Sequence, residues 1–112
     1  MEDGSILDNQ ITASSIFDAN HGTGNARLNH AAVASTTGAW SARVNNPNQW
    51  IQADLGGMKL VSGVVTQGRN AYSQWVTKFR VQYSNDGVAW SNIEDGNGQN
   101  VRKKRSKSFV ML

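Results

Sequence analysis

The stretch "VTKFRVQYSNDGVAW", residues 76–90, carries the plainest structural signal in the chain. Lys78, Arg80 and Gln82 alternate with Thr77, Phe79, Val81 and Tyr83. A period of two sends successive side chains to opposite faces of a strand, here one wet and one buried. The strand runs into Asp86-Gly87, a pair that supplies the positive φ of a tight hairpin turn. "VAWSNI" (88–93) then reads as the returning strand.

Working outward, "QWIQADL" (49–55) also alternates, with Ile51, Ala53 and Leu55 expected toward a core and Trp50, Gln52 and Asp54 away from it. "KLVSGVVTQG" (59–68) has apolar residues on both faces, which predicts a strand covered on both sides, with Gly63 where another group approaches closely. "QITASSIF" (10–17) reads as a first strand. No 3.6-residue periodicity is sustained, the single proline is Pro47, and there is no internal repeat. Short strands separated by turn signals predict an all-β sandwich or barrel. The tail "VRKKRSKSFVML" (101–112) breaks this rhythm with a charge block and an apolar stub. A β fold that stopped at residue 93 would leave exposed edges and an open core.

The chain has 112 residues, which predicts one domain. It contains no cysteine, so disulfides, thiolate zinc sites and thiol nucleophiles are excluded. No apolar run approaches the roughly 20 residues needed to span a bilayer. The start, "MEDGSILDNQ", is polar and acidic and does not read as a signal peptide. The net charge of +3 is deceptive, because five of the eleven basic residues are Arg102, Lys103, Lys104, Arg105 and Lys107. Six basic residues against eight acidic ones leave the body slightly negative. A nucleic-acid reading from the overall charge is therefore rejected.

The segment most suggestive of chemistry is "DANHGTGNARLN", residues 18–29. A phosphate loop would need a third glycine and a following helix, and both are missing. His21 and His30 are nine apart with no nucleophile–base motif around either, so the reading is not an enzyme. Asp18 and His21 lack a third metal ligand at a recognised spacing. A structural calcium ion held by loop carbonyls is left open, since carbonyl ligands leave no mark in a sequence; no other cofactor is indicated. In the tail, "KKRSK" resembles a nuclear-localisation or polyanion-binding run, and "RKKR" before Ser106 resembles a proprotein-convertase site. The plainer reading of the tail is a linker or out-of-frame sequence without a role.

The segments "MEDGSI" (1–6), "DNQITASS" (8–15), "NARLN" (25–29), "GAW" (38–40), "PNQWIQADLG" (47–56), "VVTQGR" (64–69) and "QWVTKFRVQYSNDGVAW" (74–90) together resemble a discoidin domain, also called the coagulation factor V/VIII C-type domain. The resemblance implies a jelly-roll-like β-sandwich and a non-enzymatic, lectin-like extracellular module of cell adhesion. It implies partners such as glycans, matrix or cell-surface glycoproteins, or anionic phospholipid headgroups. Many members close the domain with a disulfide; this chain has none, and Ser41 stands where some have a cysteine. A complete domain continues past residue 93. The expectation is therefore a discoidin domain over 1–100, incomplete at its C-terminal end and reduced in stability, followed by a basic tail (101–112) outside the family pattern.

The resemblance further implies that ligands meet three loops: 17–25, 41–48 and 69–74. Loop one offers Asp18, Asn20 and His21, against the plain alternative of a solvated turn. Loop two offers Arg43, with Asn45 and Asn46 as hydrogen-bonding partners. Loop three offers Arg69 and Tyr72, whose ring could meet a sugar face or pack on its own loop. Arg27 is expected to pair internally or with the chain end. Trp40, Trp50, Trp75 and Trp90 lie in framework segments and are expected to be structural. Lipid-binding members insert large apolar side chains, and here only Phe17 and Val44 are at hand. That favours glycans over phospholipid, with polyanion or nuclear binding through the tail third.

Overall fold

A computed structural model describes residues 3–61 and 63–93, together with the backbone of 104–111. The elements are β1 (Ile11–Ala13), β2 (Ile51–Val61), β3 (Val81–Ser84), β4 (Ser91–Asn92) and β5 (Lys104–Met111), with short 3-10 turns at Asp8–Gln10, Ala19–His21 and Thr23–Ala26. The strands form one antiparallel sheet in the order β1-β2-β5-β3-β4. The chain is all-β, as the alternation predicted.

The first correction concerns the tail. Lys104–Met111 is the central strand of the sheet, pairing with β2 from Ile51↔Met111 to Val61↔Lys104 and with β3 from Val81↔Met111 to Ser84↔Ser108. Strand pairing is made by backbone groups, so a charge block does not forbid it, and the facing edges of β2 and β3 each present unpaired N–H and C=O groups. Without β5 the sheet would divide into β1-β2 and β3-β4. The boundary expected near residue 100 lies outside the described residues.

β2 runs on past the expected stretch because Gly56 (φ +77) lets the backbone kink without losing the strand. The register with β5 shifts between Asp54 and Lys59, around Gly56-Gly57. Asp54 steadies the irregularity by accepting from Gly56 N at 2.8 Å, and its carbonyl accepts from Gln10 Nε2 at 3.0 Å. The pairings Ile11↔Ala53 and Ala13↔Ile51 put Ile11 and Ile51 on one face. These two, 3% and 9% exposed, are the buried apolar residues among those described.

The strand expected over 59–68 ends at Val61. Val64 and Val65 are exposed, and no described residue lies within 4 Å of where a Gly63 side chain would begin, so the predicted close approach is absent among the described residues. The reason is the space these residues face. A cavity of about 870 Å³ separates the sheet residues Ile11, Ile51 and Val81 from Val64, Trp75, Val76 and Phe79. Residues within 63–80 line this space without strand pairing among the described residues. The wet and buried faces expected for 76–84 are likewise not realised, since Phe79 is exposed and β3 begins only at Val81.

The hairpin exists but is wider than a two-residue turn. Residues 85–90 connect β3 to β4, with Gly87 at φ +74 as its sequence required. Ser84 Oγ accepts from Gly87 N at 2.8 Å, and Asp86 Oδ1 accepts from Val88 N at 2.8 Å and Ala89 N at 2.9 Å. Those amides hold the Asp86 carboxyl below the ordinary aspartate range.

Candidate functional site

Loop one is built around a carboxylate. Asp18 caps the turn Ala19–His21, accepting from Asn20 N at 2.9 Å and from His21 Nδ1 at 2.6 Å through the same oxygen. The histidine hydrogen bond is the main cause holding the Asp18 carboxyl below its ordinary range. The His21 ring is also met edge-on by Phe17, with centroids 5.2 Å apart. Asn20 works through its backbone, its carbonyl accepting from Asn25 Nδ2 at 2.7 Å and Thr37 Oγ1 at 2.9 Å. Gly22 and Gly24 do not use positive φ; a side chain at Gly24 would press on the Asp8 carboxylate, 3.2 Å away. Asp8 pairs with Arg27 at 2.5 Å, the internal partner expected for that arginine.

Loop one is fastened to loop two by Phe17 N→Ser41 O (2.8 Å) and Ser41 N→His21 O (3.4 Å). Loop two is fastened to the sandwich by Gln49 Oε1, which accepts from Ser14 Oγ at 2.8 Å and Ser15 Oγ at 2.7 Å. Asn46 Oδ1 organises the turn, accepting from Asn48 N and Gln49 Nε2, each at 3.0 Å. Trp40 donates from Nε1 to Ser15 O at 3.0 Å and is half-buried, in keeping with a structural role.

In loop three the Arg69 guanidinium lies 4.2 Å from the Tyr72 ring centroid and donates from Nη1 to Gln74 Oε1 at 2.6 Å. Arg69 N→Gln74 O (2.9 Å) closes the loop, and Ala71 sits at φ +65, a conformation uncommon outside glycine. Tyr72 is therefore packed on its own loop by one face while staying exposed.

The three loops line one cleft of about 1140 Å³. Phe17 and His21 come from loop one, Val44, Asn45 and Asn46 from loop two, and Arg69, Ser73 and Gln74 from loop three, with Trp75, Lys78 and Arg80 along one wall. Of the ligand-contact residues singled out in the sequence, His21, Asn45, Asn46 and Arg69 are brought together there. Asp18, Asn20, Arg43 and Tyr72 are exposed but do not line it. Trp75 departs from expectation, being 67% exposed and part of the cleft wall. Its place one residue after loop three was the available signal. Lys78 and Arg80 were read only as the wet face of a strand. Among the described residues no group of three or more His, Asp or Glu side chains could hold a metal ion, and no helix is long and apolar enough to cross a membrane.

Comparison with known proteins agrees with this architecture. The chain is 35% identical to lactadherin of Bos taurus over 100 residues, covering 85% of this chain and 23% of that protein. It is 43% identical to coagulation factor V of Mus musculus over 96 residues, covering 80% of this chain and 4% of the other. The chain thus spans less than a quarter of either relative. Among solved structures, wild-type discoidin II of Dictyostelium discoideum superposes with a TM-score of 0.79 at 25% identity, covering 90% of this chain and 47% of that one. It supports the jelly-roll reading of the fold. The F5/8 type C domain model matches residues 10–110, which takes in both β1 and nearly all of β5. With sheet, loops and family pattern in agreement over that span, the chain belongs to the F5/8 type C, or discoidin, domain family.

Proposed function

We propose that this domain is a non-catalytic, extracellular recognition module that binds glycans of matrix or cell-surface glycoproteins. The ligand enters the cleft framed by residues 17–25, 41–48 and 69–74. The observation that carries this reading is the convergence of the three loops on one concave surface, where Trp75 offers an exposed ring face beside Asn45, Asn46 and Gln74. Apolar ring faces with convergent amides suit a sugar, whose faces are apolar and whose edges are hydroxyls. A glycan array followed by titration calorimetry tests it. Trp75→Ala should abolish sugar binding with the fold intact by circular dichroism, and unchanged binding would remove the site.

A second reading, peripheral binding to anionic phospholipid, is favoured by one observation. Phe17 and Val44 stand on the cleft rim 59% and 51% exposed, as side chains that enter a bilayer interface would. Co-sedimentation with phosphatidylserine vesicles, run beside the glycan array, discriminates: a membrane binder should pellet with the vesicles and be released by Phe17→Ser with Val44→Ser, whereas a sugar binder should stay in the supernatant as the parent chain.

A further inference from the structure

The charge of the cleft goes further than its shape. Six basic residues precede position 101, and three of them, Arg69, Lys78 and Arg80, line this one surface. No Asp or Glu is among the described residues lining it. Outside the cleft, Arg27 is paired with Asp8, whereas Arg43 and Lys59 make no ion pair among the described residues. The cleft cations have no such partner among the described residues. Arg69 donates to the neutral carbonyl of Gln74 and stacks on Tyr72, while its buried Nε has no acceptor. Lys78 and Arg80 are exposed on the wall and make no described ion pair. A concave surface of one sign concentrates field and attracts counter-ions. The donor balance agrees: ammonium and guanidinium groups donate only, and the strongest acceptors for sugar hydroxyls, carboxylates, are missing from the described lining.

Resting on the glycan reading above, we propose that the cleft is selective for acidic sugars, those carrying carboxylate or sulfate groups. Arg69, Lys78 and Arg80 meet the acid groups, and Trp75 and the loop amides meet the ring. Charge-assisted hydrogen bonds are shorter and stronger than neutral ones, so they dominate the discrimination.

The test uses the full chain against matched oligosaccharides that are neutral, uronate-bearing or sulfated, beside phosphatidylserine–phosphatidylcholine vesicles. The acidic sugars should bind at least about tenfold more tightly than the neutral ones. The preference should weaken between about 50 and about 500 mM salt as the Debye length shortens and the cleft charges are screened. Lys78→Gln with Arg80→Gln should remove the preference, while Lys78→Arg with Arg80→Lys should keep it; the second pair guards against a folding artefact. Equal binding of neutral sugars would overturn the selectivity and leave the glycan reading standing. Binding of vesicles but no sugar would overturn both. Acidic-sugar binding untouched by the glutamine pair would place it elsewhere, such as the basic run at 102–107, and overturn the assignment to the cleft.

Discussion

Gly38 is the position where one added methyl group should do most harm. It lies between loops one and two at φ +70, and it is buried. A Cβ built there would sit 2.9 Å from Ala32 N, 3.1 Å from His30 O and 3.1 Å from Asn70 Cβ. Two of these are backbone atoms, which cannot swing aside. The left-handed conformation costs a residue with a side chain about 1–2 kcal/mol. Relieving the overlap by moving backbone costs about 1–3 kcal/mol more. A domain of this length is stabilised by roughly 5–15 kcal/mol in total, and among the described residues only Ile11 and Ile51 are buried apolar ones. Gly38→Ala should therefore lower the melting temperature by roughly 10 °C or more, at about 4–8 °C per kcal/mol. The shift is read by circular dichroism beside Gly57→Ala, where nothing lies within 4 Å of the new Cβ. The strain also bears on binding, because Ala32 N donates to Asn70 Oδ1 and so ties this region to loop three. A Gly38→Ala protein melting within about 2 °C of the parent would refute the reasoning, since the conformational term alone predicts more.

Other expectations follow from the same geometry. Trp40→Ala, which loses the bond to Ser15 O, should cost about 2 kcal/mol or more in urea unfolding, whereas exposed Trp75→Ala should cost less than about 1. Truncation before Lys104 should abolish a single cooperative unfolding transition, because β2 and β3 lose the strand between them; a sharp transition in the shortened chain would contradict the sheet order. The depressed Asp18 and Asp86 carboxyls bind protons less readily folded than unfolded, so their contribution is present above the unfolded aspartate pKa and fades as pH falls through the lower folded values. NMR titration should find both below the ordinary aspartate range, and ordinary values would contradict the capping described. Asp8→Ala should cost about 1–3 kcal/mol in urea unfolding, more than an exposed pair would, because the Arg27 side chain is only 15% exposed and loses this carboxylate; an unchanged midpoint would contradict the pairing.

Much of this was legible in the residues. The Asp86-Gly87 turn and the inward-facing Ile51 follow from local pattern, while the three loop segments came from the family resemblance. What escaped was long-range. β5 is specified by the two strand edges that receive it, and a charge block hides that because backbone pairing ignores side-chain charge. Trp75 was assigned to the framework because its segment matches one, but its burial depends on what lies opposite, and a cavity lies there. Lys78 and Arg80 looked like any solvated strand face. Only the fold shows that this face forms a wall beside Arg69. Arg43, attractive as an exposed loop cation, falls outside the lining because its segment passes along the rim and its amide turns back to Ser15 Oγ at 3.0 Å.

The central claim is that one cleft, framed by three loops, recognises sugar. The most direct measurement is a ¹⁵N–¹H correlation spectrum recorded while an acidic oligosaccharide selected on the array is titrated in. The account predicts that shifts gather at residues 17–25, 41–48 and 69–80, with the Trp75 indole among the largest. Shifts confined to the tail or to the β1–β2 edge, or no shift with any sugar on the array, would contradict it.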